Sequence, residues 1–324
     1  MSSYPLATLP VPLLLPLLAG MVYVVAALFL KRAAELGANV WHTAQVCNIT
    51  ITLMFIPLVL LGGRIPAWHL CWQPALVALL FMAGQIFALL SLNEGDVSVA
   101  TPVLGMKILV VALLSAAIIR EGIRPDLWVA AILSSAAIAL LNFSRTQPHQ
   151  RIGTTILMAA LAATAYALMD VLVQKWSPAW GAGRFLPVTM GFVGISSLAL
   201  HPLIRSRSTL GQTTPFWGGG WVAGGAICLA LQGLMIVSFI ALYGQATMAN
   251  VLYSSRGLWS VLAVWLVGHW FANRESKHGP RVLAWRFIGA TLLMTAILIV
   301  LFSPHGNGKI SPHSHSSNYP YSYS

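Results

Sequence analysis

The sequence predicts an all-α integral membrane protein of ten transmembrane helices, arranged as two inverted five-helix repeats. Three observations lead to this fold class: a composition poor in charge, long uncharged apolar segments, and weak similarity between the two halves of the chain. Of 324 residues, 58% are hydrophobic and 8% are charged, whereas soluble domains carry about 25% charged residues. A soluble protein needs more charge to cover its surface, so the composition excludes that class.

The apolar segments have the length that a membrane crossing requires. A hydrocarbon core about 30 Å thick needs roughly 20 apolar residues in a helix. Segments of this length predict ten spans, at residues 11–30, 41–61, 71–92, 97–119, 127–143, 152–174, 184–203, 219–241, 246–270 and 283–302. The turn residues Tyr243-Gly244-Gln245 divide the longest segment and separate the eighth span from the ninth.

The two halves of the chain correspond in the placement of polar residues. An offset of 149 residues matches Lys107 with Arg256, and an offset of 143 residues pairs Tyr23 with Tyr166 in the first span of each half. Each proposed repeat holds five spans, and this odd number makes the second repeat enter the membrane from the opposite side. Inverted repeats recur in secondary transporters, whose sites lie near the midplane between the repeats.

The domain boundaries follow from this repeat. Residues 1–149 form the first five-helix repeat and residues 150–303 form the second. Residues 304–324 are rich in His, Ser and Tyr, a composition that predicts a disordered tail.

Three ionisable residues lie within predicted spans. Lys107 and Arg256 fall near the middle of the fourth and ninth spans, where a charge costs about 2.5–3.5 kcal/mol to insert. Their matched positions favour two cations that face a central cavity and bind an anion, carboxylate or phosphate. The alternative is that they pair with Asp170 or extend to an interface. Asp170 can neutralise only one of them, so at least one cation is left without an intramembrane partner.

Asp170 itself has three interpretations. It is a candidate proton-coupling carboxylate, a counter-ion for Lys107 or Arg256, or an interfacial residue. The sequence favours the interfacial position, because Gln174 and Lys175 follow directly.

Neutral polar residues in other spans are candidates to complete the substrate site. Each of them has an alternative role in holding helices together, since hydroxyl and amide groups often bridge helices in membranes. The candidates are Tyr23, Gln45, Asn48, Gln85, Gln232 and Tyr253.

Several classes of chemistry lack their sequence motifs. The chain has no nucleotide-binding glycine loop, no metal-ligand spacing and no credible nucleophile triad, so we expect no cofactor, no metal and no enzyme activity. The net charge of +11 lies mostly in short loops, which favours topology and anionic headgroups over nucleic acid. Transport would then use a gradient, an exchange or a downhill flow.

The chain also resembles a known family. The resemblance is clearest in the segment from Val97 to Gly122 and in the corresponding segment of the second half, which ends near Glu275. With the five-plus-five arrangement, residues 11–302 resemble the EamA-like members of the drug/metabolite transporter superfamily. This resemblance implies a multi-pass protein of the plasma membrane, that is, the inner membrane of a bacterium, with both termini in the cytoplasm. The distribution of Lys and Arg among the loops leans towards the opposite orientation.

The function expected from the residues and the resemblance is secondary transport of a small anionic or zwitterionic metabolite by alternating access. One alternative is a general exporter of neutral amino acids or drugs, in which the basic pair is structural. A second alternative is a membrane receptor or enzyme that does not transport. The expected partners are the lipid bilayer and a small-molecule substrate, with a homodimer as a further option.

Overall fold

The protein is built from helices throughout the part described by the computed structural model, which covers residues 11–64, 68–93, 97–120, 122–141, 152–202, 216–267 and 280–302. In chain order the α-helices are α1 (Leu14–Glu35), α2 (Val40–Phe55), α3 (Trp72–Asn93), α4 (Val97–Gly105), α5 (Lys107–Ile118), α6 (Pro125–Leu141), α7 (Ile152–Trp180), α8 (Ala182–Ala199), α9 (Phe216–Tyr243), α10 (Ala246–Tyr253), α11 (Arg256–Val267) and α12 (Pro280–Phe302). The predicted tail lies outside the described residues.

Long apolar segments with outward-facing apolar side chains confirm a multi-pass membrane protein. Seven segments among the described residues have the length and composition to cross a bilayer, and α6 and the end of α12 are shorter apolar helices. Large apolar side chains such as Leu79, Ile195 and Phe287 point outward and are exposed. A soluble protein would cover such a surface with charge, whereas lipid accepts it.

Several helix bounds differ from the predicted spans. The turn between the eighth and ninth spans is confirmed, since α9 ends at Tyr243 and Gly244 has a φ of 65°. The helix α7 continues to Trp180, beyond its predicted end at residue 174. The second span changes at Phe55 to a 3-10 helix, Ile56–Leu61, because Pro57 lacks the N–H that an α-helix would use there.

The fourth and ninth spans, predicted as single helices, each contain a short break in the regular α-helix, one residue at Met106 and two at Ser254 and Ser255, although Met106 and Ser254 keep helical backbone angles. In the fourth, α4 ends at Gly105 and α5 begins at Lys107; in the ninth, α10 ends at Tyr253 and α11 begins at Arg256. The Ser254 hydroxyl donates to the Val251 carbonyl, and such back-bonding competes with the helical ladder. Each break places its cation on the first residue of the following half-helix.

The helix packing brings the two halves of the chain together. The helix α1 packs along α9, α3 packs along α7, and α6 packs along α12. Smaller contacts join α2 to α9 and α3 to α8. The helices α1 and α9 approach closely because Gly224 leaves room for Phe29, whose ring a Cβ on that glycine would meet at 2.6 Å.

Candidate functional site

A central cavity of about 340 Å³ lies between the two halves of the chain. Helices from both halves line it, including α1, α2, α3 and α5 from the first and α7, α9, α10 and α11 from the second. Eight of the nine predicted site residues contribute to its wall: Tyr23, Asn48, Gln85, Lys107, Asp170, Gln232, Tyr253 and Arg256. The structure therefore brings these residues together, and their part in binding substrate stays a prediction.

Lys107 is paired with an acid. Its Nζ lies 2.8 Å from Oδ2 of Asp170, and the Lys107 side chain is 22% exposed against 3% for Asp170. The ammonium also lies over the ring of Tyr166, 5.7 Å from the ring centroid. The ion pair therefore neutralises one of the two cations of the cavity.

The interfacial interpretation of Asp170 is wrong. The residue is buried inside the bundle, where Lys107 and Asn250 contact its carboxylate, and α7 continues past Gln174 to Trp180. Its Oδ2 also accepts a hydrogen bond from Nδ2 of Asn250, at 2.7 Å. Two donors from different helices thus hold the carboxylate, as the counter-ion interpretation requires.

Arg256 has a different environment. Its guanidinium lies between the rings of Tyr23 and Tyr253, 4.8 Å from each centroid, and Nη1 donates weakly to the Tyr253 hydroxyl at 3.4 Å. Within the part of the chain that the structure describes, no carboxylate forms an ion pair with it. Aromatic faces attract a cation by about 0.5–2 kcal/mol but leave its charge in place. Arg256 therefore remains a net positive charge in the cavity wall.

The two cations have matched aromatic partners. Lys107 lies over Tyr166, and Arg256 lies over Tyr23, which the repeat offsets pair with Tyr166. Sequence reasoning noted the Tyr166 match but did not place that residue in the site. The offset between the first spans was the signal that could have done so.

The amides of the second and third spans bond to each other. Nδ2 of Asn48 donates to Oε1 of Gln85 at 2.9 Å, and Nε2 of Gln85 donates back to Oδ1 of Asn48 at 3.0 Å. These residues line the cavity and also join α2 to α3. The Gln232 Oε1 is buried and has no hydrogen-bond partner among the described residues.

Gln45 is not among the residues that line the cavity, and its contact with substrate stays a prediction. Its Nε2 donates to the Ser197 carbonyl at 3.4 Å, and its Oε1 lies 2.9 Å from Nδ1 of His201. Helix periodicity put Gln45 on one face with Asn48, but the packing of α8 against α2 covers the Gln45 end of that face.

Asn250 is, after Tyr166, a second site residue that sequence reasoning missed. Its Nδ2 bridges the Asp170 carboxylate and the Ala246 carbonyl, at 2.7 and 2.9 Å. A polar residue six positions before Arg256 carried no signal of its own in the sequence. Its role depends on α10 and α7 being neighbours, which only the fold provides.

The comparisons with known proteins agree with this architecture. Residues 11–143 match the model of the EamA-like transporter family. No curated protein matches the chain. Among solved structures, one described only as the crystal structure of a protein has a TM-score of 0.62 at 18% identity, over 88% of this chain and 95% of its own. At that identity the likeness shows the fold alone.

The match is to the first half of the chain, while the apolar helices extend through both halves. The match confirms the resemblance of residues 11–143 to EamA-like transporters of the drug/metabolite transporter superfamily, and the apolar helices identify the chain as a multi-pass membrane protein.

Proposed function

We propose that the protein is a secondary transporter of a small anionic or zwitterionic metabolite, bearing a carboxylate or phosphate, with Lys107 and Arg256 in the central cavity. The observation that carries the proposal is Arg256, a cation in the cavity wall to which the described residues offer no acid. A guanidinium in that position presents a planar pair of donors that suits a carboxylate or phosphate.

The energetics support an anionic ligand. An uncompensated charge at mid-membrane costs about 2.5–3.5 kcal/mol, and two aromatic faces offset only part of that cost. A bound anion would supply the remaining stabilisation. A zwitterion would do so through its carboxylate, and its ammonium could face acceptors such as the Gln232 Oε1, which lacks a partner among the described residues.

The proposal includes ten spans in two inverted repeats. Helix packing supports it, because each main contact has a counterpart when the repeats are exchanged. The packing of α1 on α9 corresponds to α7 on α3, and that of α2 on α9 corresponds to α8 on α3. The helices α6 and α12 are the last helices of the two repeats, so their contact is unchanged when the repeats are exchanged.

The short breaks in the fourth and ninth spans support alternating access, because they lie at matched positions of the two repeats. Secondary transporters commonly interrupt a helix of each repeat beside the substrate site. We place the protein in the plasma membrane, or bacterial inner membrane. Coupling through Asp170 stays a prediction, and so does a homodimer, which light scattering in detergent would measure.

A second candidate is a general exporter of neutral amino acids or drugs, with a structural basic pair. The ion pair of Lys107 with Asp170 favours it, because that cation already has a protein partner. It requires the tyrosine rings alone to satisfy Arg256. The remaining alternative is a receptor or enzyme, which ligand-dependent flux in liposomes would eliminate.

The test compares Arg256→Gln with Arg32→Gln, a surface control whose guanidinium pairs with Glu35 at 3.1 Å. Lactate, glycerol phosphate, succinate and their neutral analogues are screened for thermal stabilisation of the purified protein, and the best ligand is then tested for uptake into liposomes. We expect an anion to stabilise the wild type and Arg32→Gln, and affinity to fall about tenfold or more in Arg256→Gln. Equal stabilisation by neutral analogues, or full uptake by Arg256→Gln, would refute the proposal.

A further inference from the structure

The charges of the central cavity are asymmetric between the two repeats. The offset of 143 residues that pairs Tyr23 with Tyr166 places Ala27 at the position equivalent to Asp170. By this offset, the first repeat has an exposed alanine, which does not line the cavity, at the position that matches the buried Asp170 carboxylate. As a result, Lys107 is neutralised while its repeat counterpart Arg256 is not.

The carboxylate is held firmly in place. Oδ2 of Asp170 accepts from Nζ of Lys107 at 2.8 Å and from Nδ2 of Asn250 at 2.7 Å, so it is fixed from α5 and from α10. Asn250 is itself fixed by its bond to the Ala246 carbonyl. Because Asp170 is 3% exposed and Lys107 is 22% exposed, the ammonium is the more accessible member of the pair.

We propose that Asp170 sets the charge selectivity of the cavity, so that the site takes monoanions in preference to dianions and neutral analogues. This inference rests on the proposed function, because it assumes that Arg256 receives an anion. Among the described residues of the cavity wall, the charged side chains are Lys107, Asp170 and Arg256, whose charges sum to one positive.

The physical basis is the cost of a net charge in a low-dielectric cavity. A monoanion brings the sum to zero. A dianion leaves one negative charge, and a neutral ligand leaves the positive charge of Arg256 uncompensated. Without the Asp170 carboxylate, the sum becomes two positive charges, and a dianion becomes the neutralising ligand.

Variants at two positions vary the cavity charge. The wild type has one positive charge, Asp170→Asn has two, and Lys107→Gln has none. The double variant Lys107→Gln with Asp170→Asn returns to one. Asparagine keeps an acceptor oxygen for Asn250, so Asp170→Asn removes the charge with little change of shape.

The probes are succinamide, succinamate and succinate, which are nearly identical in size and carry no, one and two negative charges at neutral pH. Affinities are measured by thermal shift and titration calorimetry on the purified full-length protein. We expect the wild type and the double variant to prefer succinamate. In Asp170→Asn the ratio of succinate to succinamate affinity should rise about tenfold or more, and in Lys107→Gln the preference for succinamate over succinamide should fall by a similar factor.

The outcomes distinguish failure of the proposed function from failure of the role of Asp170. If succinamate binding depends on Arg256 but the affinity ratios are the same in all four proteins, the proposed function stands and the role of Asp170 is refuted. A merely structural Asp170 gives that result, because its loss would weaken all three ligands equally. If the wild type binds none of the three, or binds succinamide as well as succinamate, both proposals are overturned. Should Asp170→Asn fail to fold, Lys107→Gln and the double variant still give the comparison.

Discussion

Gly20 of α1 lies directly against the break in the ninth span, and Gly20→Ala tests whether that contact positions Arg256. A Cβ at residue 20 would lie 2.8 Å from Oγ of Ser255, 3.1 Å from the backbone N of Arg256 and 3.3 Å from the carbonyl O of Tyr253. Two of these atoms are backbone atoms of the break, which cannot rotate away. The substitution should therefore shift the Ser255 side chain and move the backbone beside it by a few tenths of an ångström.

The magnitude follows from two opposing effects. Overpacking of this kind costs about 1–3 kcal/mol, while replacing a helical glycine by alanine contributes about 1 kcal/mol in favour of the helix. Gly191 of α8 is a matched control, because a Cβ there would meet nothing within 4 Å. The stability difference between Gly20→Ala and Gly191→Ala should therefore isolate the clash, at about 1–3 kcal/mol.

The assay is thermal unfolding in detergent followed by tryptophan fluorescence. For a chain of this size we expect Gly20→Ala to melt about 2–6 °C below Gly191→Ala. Anion affinity should also fall about threefold or more in Gly20→Ala alone, because the guanidinium of Arg256 moves with its backbone.

Ser255→Ala provides a rescue. The Ser255 hydroxyl is the nearest atom to the added methyl group and has no hydrogen-bond partner among the described residues, so its removal costs little. The double variant Gly20→Ala with Ser255→Ala should regain part of the lost stability and affinity. Identical melting and ligand binding in Gly20→Ala and Gly191→Ala would refute the idea that this contact positions Arg256.

Three further substitutions test other contacts of the site and of the bundle. Tyr23→Phe should keep stability and ligand affinity, because the ring over Arg256 remains. Tyr23→Leu should lower the free energy of unfolding by about 0.5–2 kcal/mol, and equal melting of the two variants would contradict a cation–π role. Asn250→Ala should cost about 1–3 kcal/mol in unfolding free energy, because the Asp170 carboxylate loses a donor, and Asn250→Asp should cost more through like-charge repulsion. Gly183→Ala should lower expression and melting temperature far more than Gly191→Ala, because its Cβ would lie 2.6 Å from the Leu58 carbonyl; a melt like that of Gly191→Ala would show that α8 can shift away from the 3-10 helix Ile56–Leu61.

Much of the site was predictable from the sequence, because a charged side chain within an apolar span costs free energy to insert into a membrane. A lysine and an arginine near mid-span have few tolerable surroundings, so their positions in the chain suffice to assign Lys107 and Arg256 to a protein interior. The repeat offset then relates the two positions. Both side chains do line the central cavity.

The surroundings of these cations were not predictable in the same way. Asp170 was expected at an interface because polar residues follow it, but α7 continues past them and carries Asp170 into the bundle. Gln45 has the same helical periodicity as Asn48, yet α8 covers one of them and leaves the other facing the cavity. Periodicity gives the face of a helix, and only packing determines what covers that face.

Composition and segment length by themselves determined that this chain is an all-helical membrane protein, since lipid forces every backbone polar group to bond within its own helix. Matched intramembrane cations at Lys107 and Arg256 were also a property of the sequence. The tertiary structure decided which cation is neutralised, because an ion pair depends on the distance of a few ångströms between Asp170 of α7 and Lys107 of α5. It also decided that both spans break at their cations. The break in the ninth span lies against Gly20 of α1, a residue far from it in the chain.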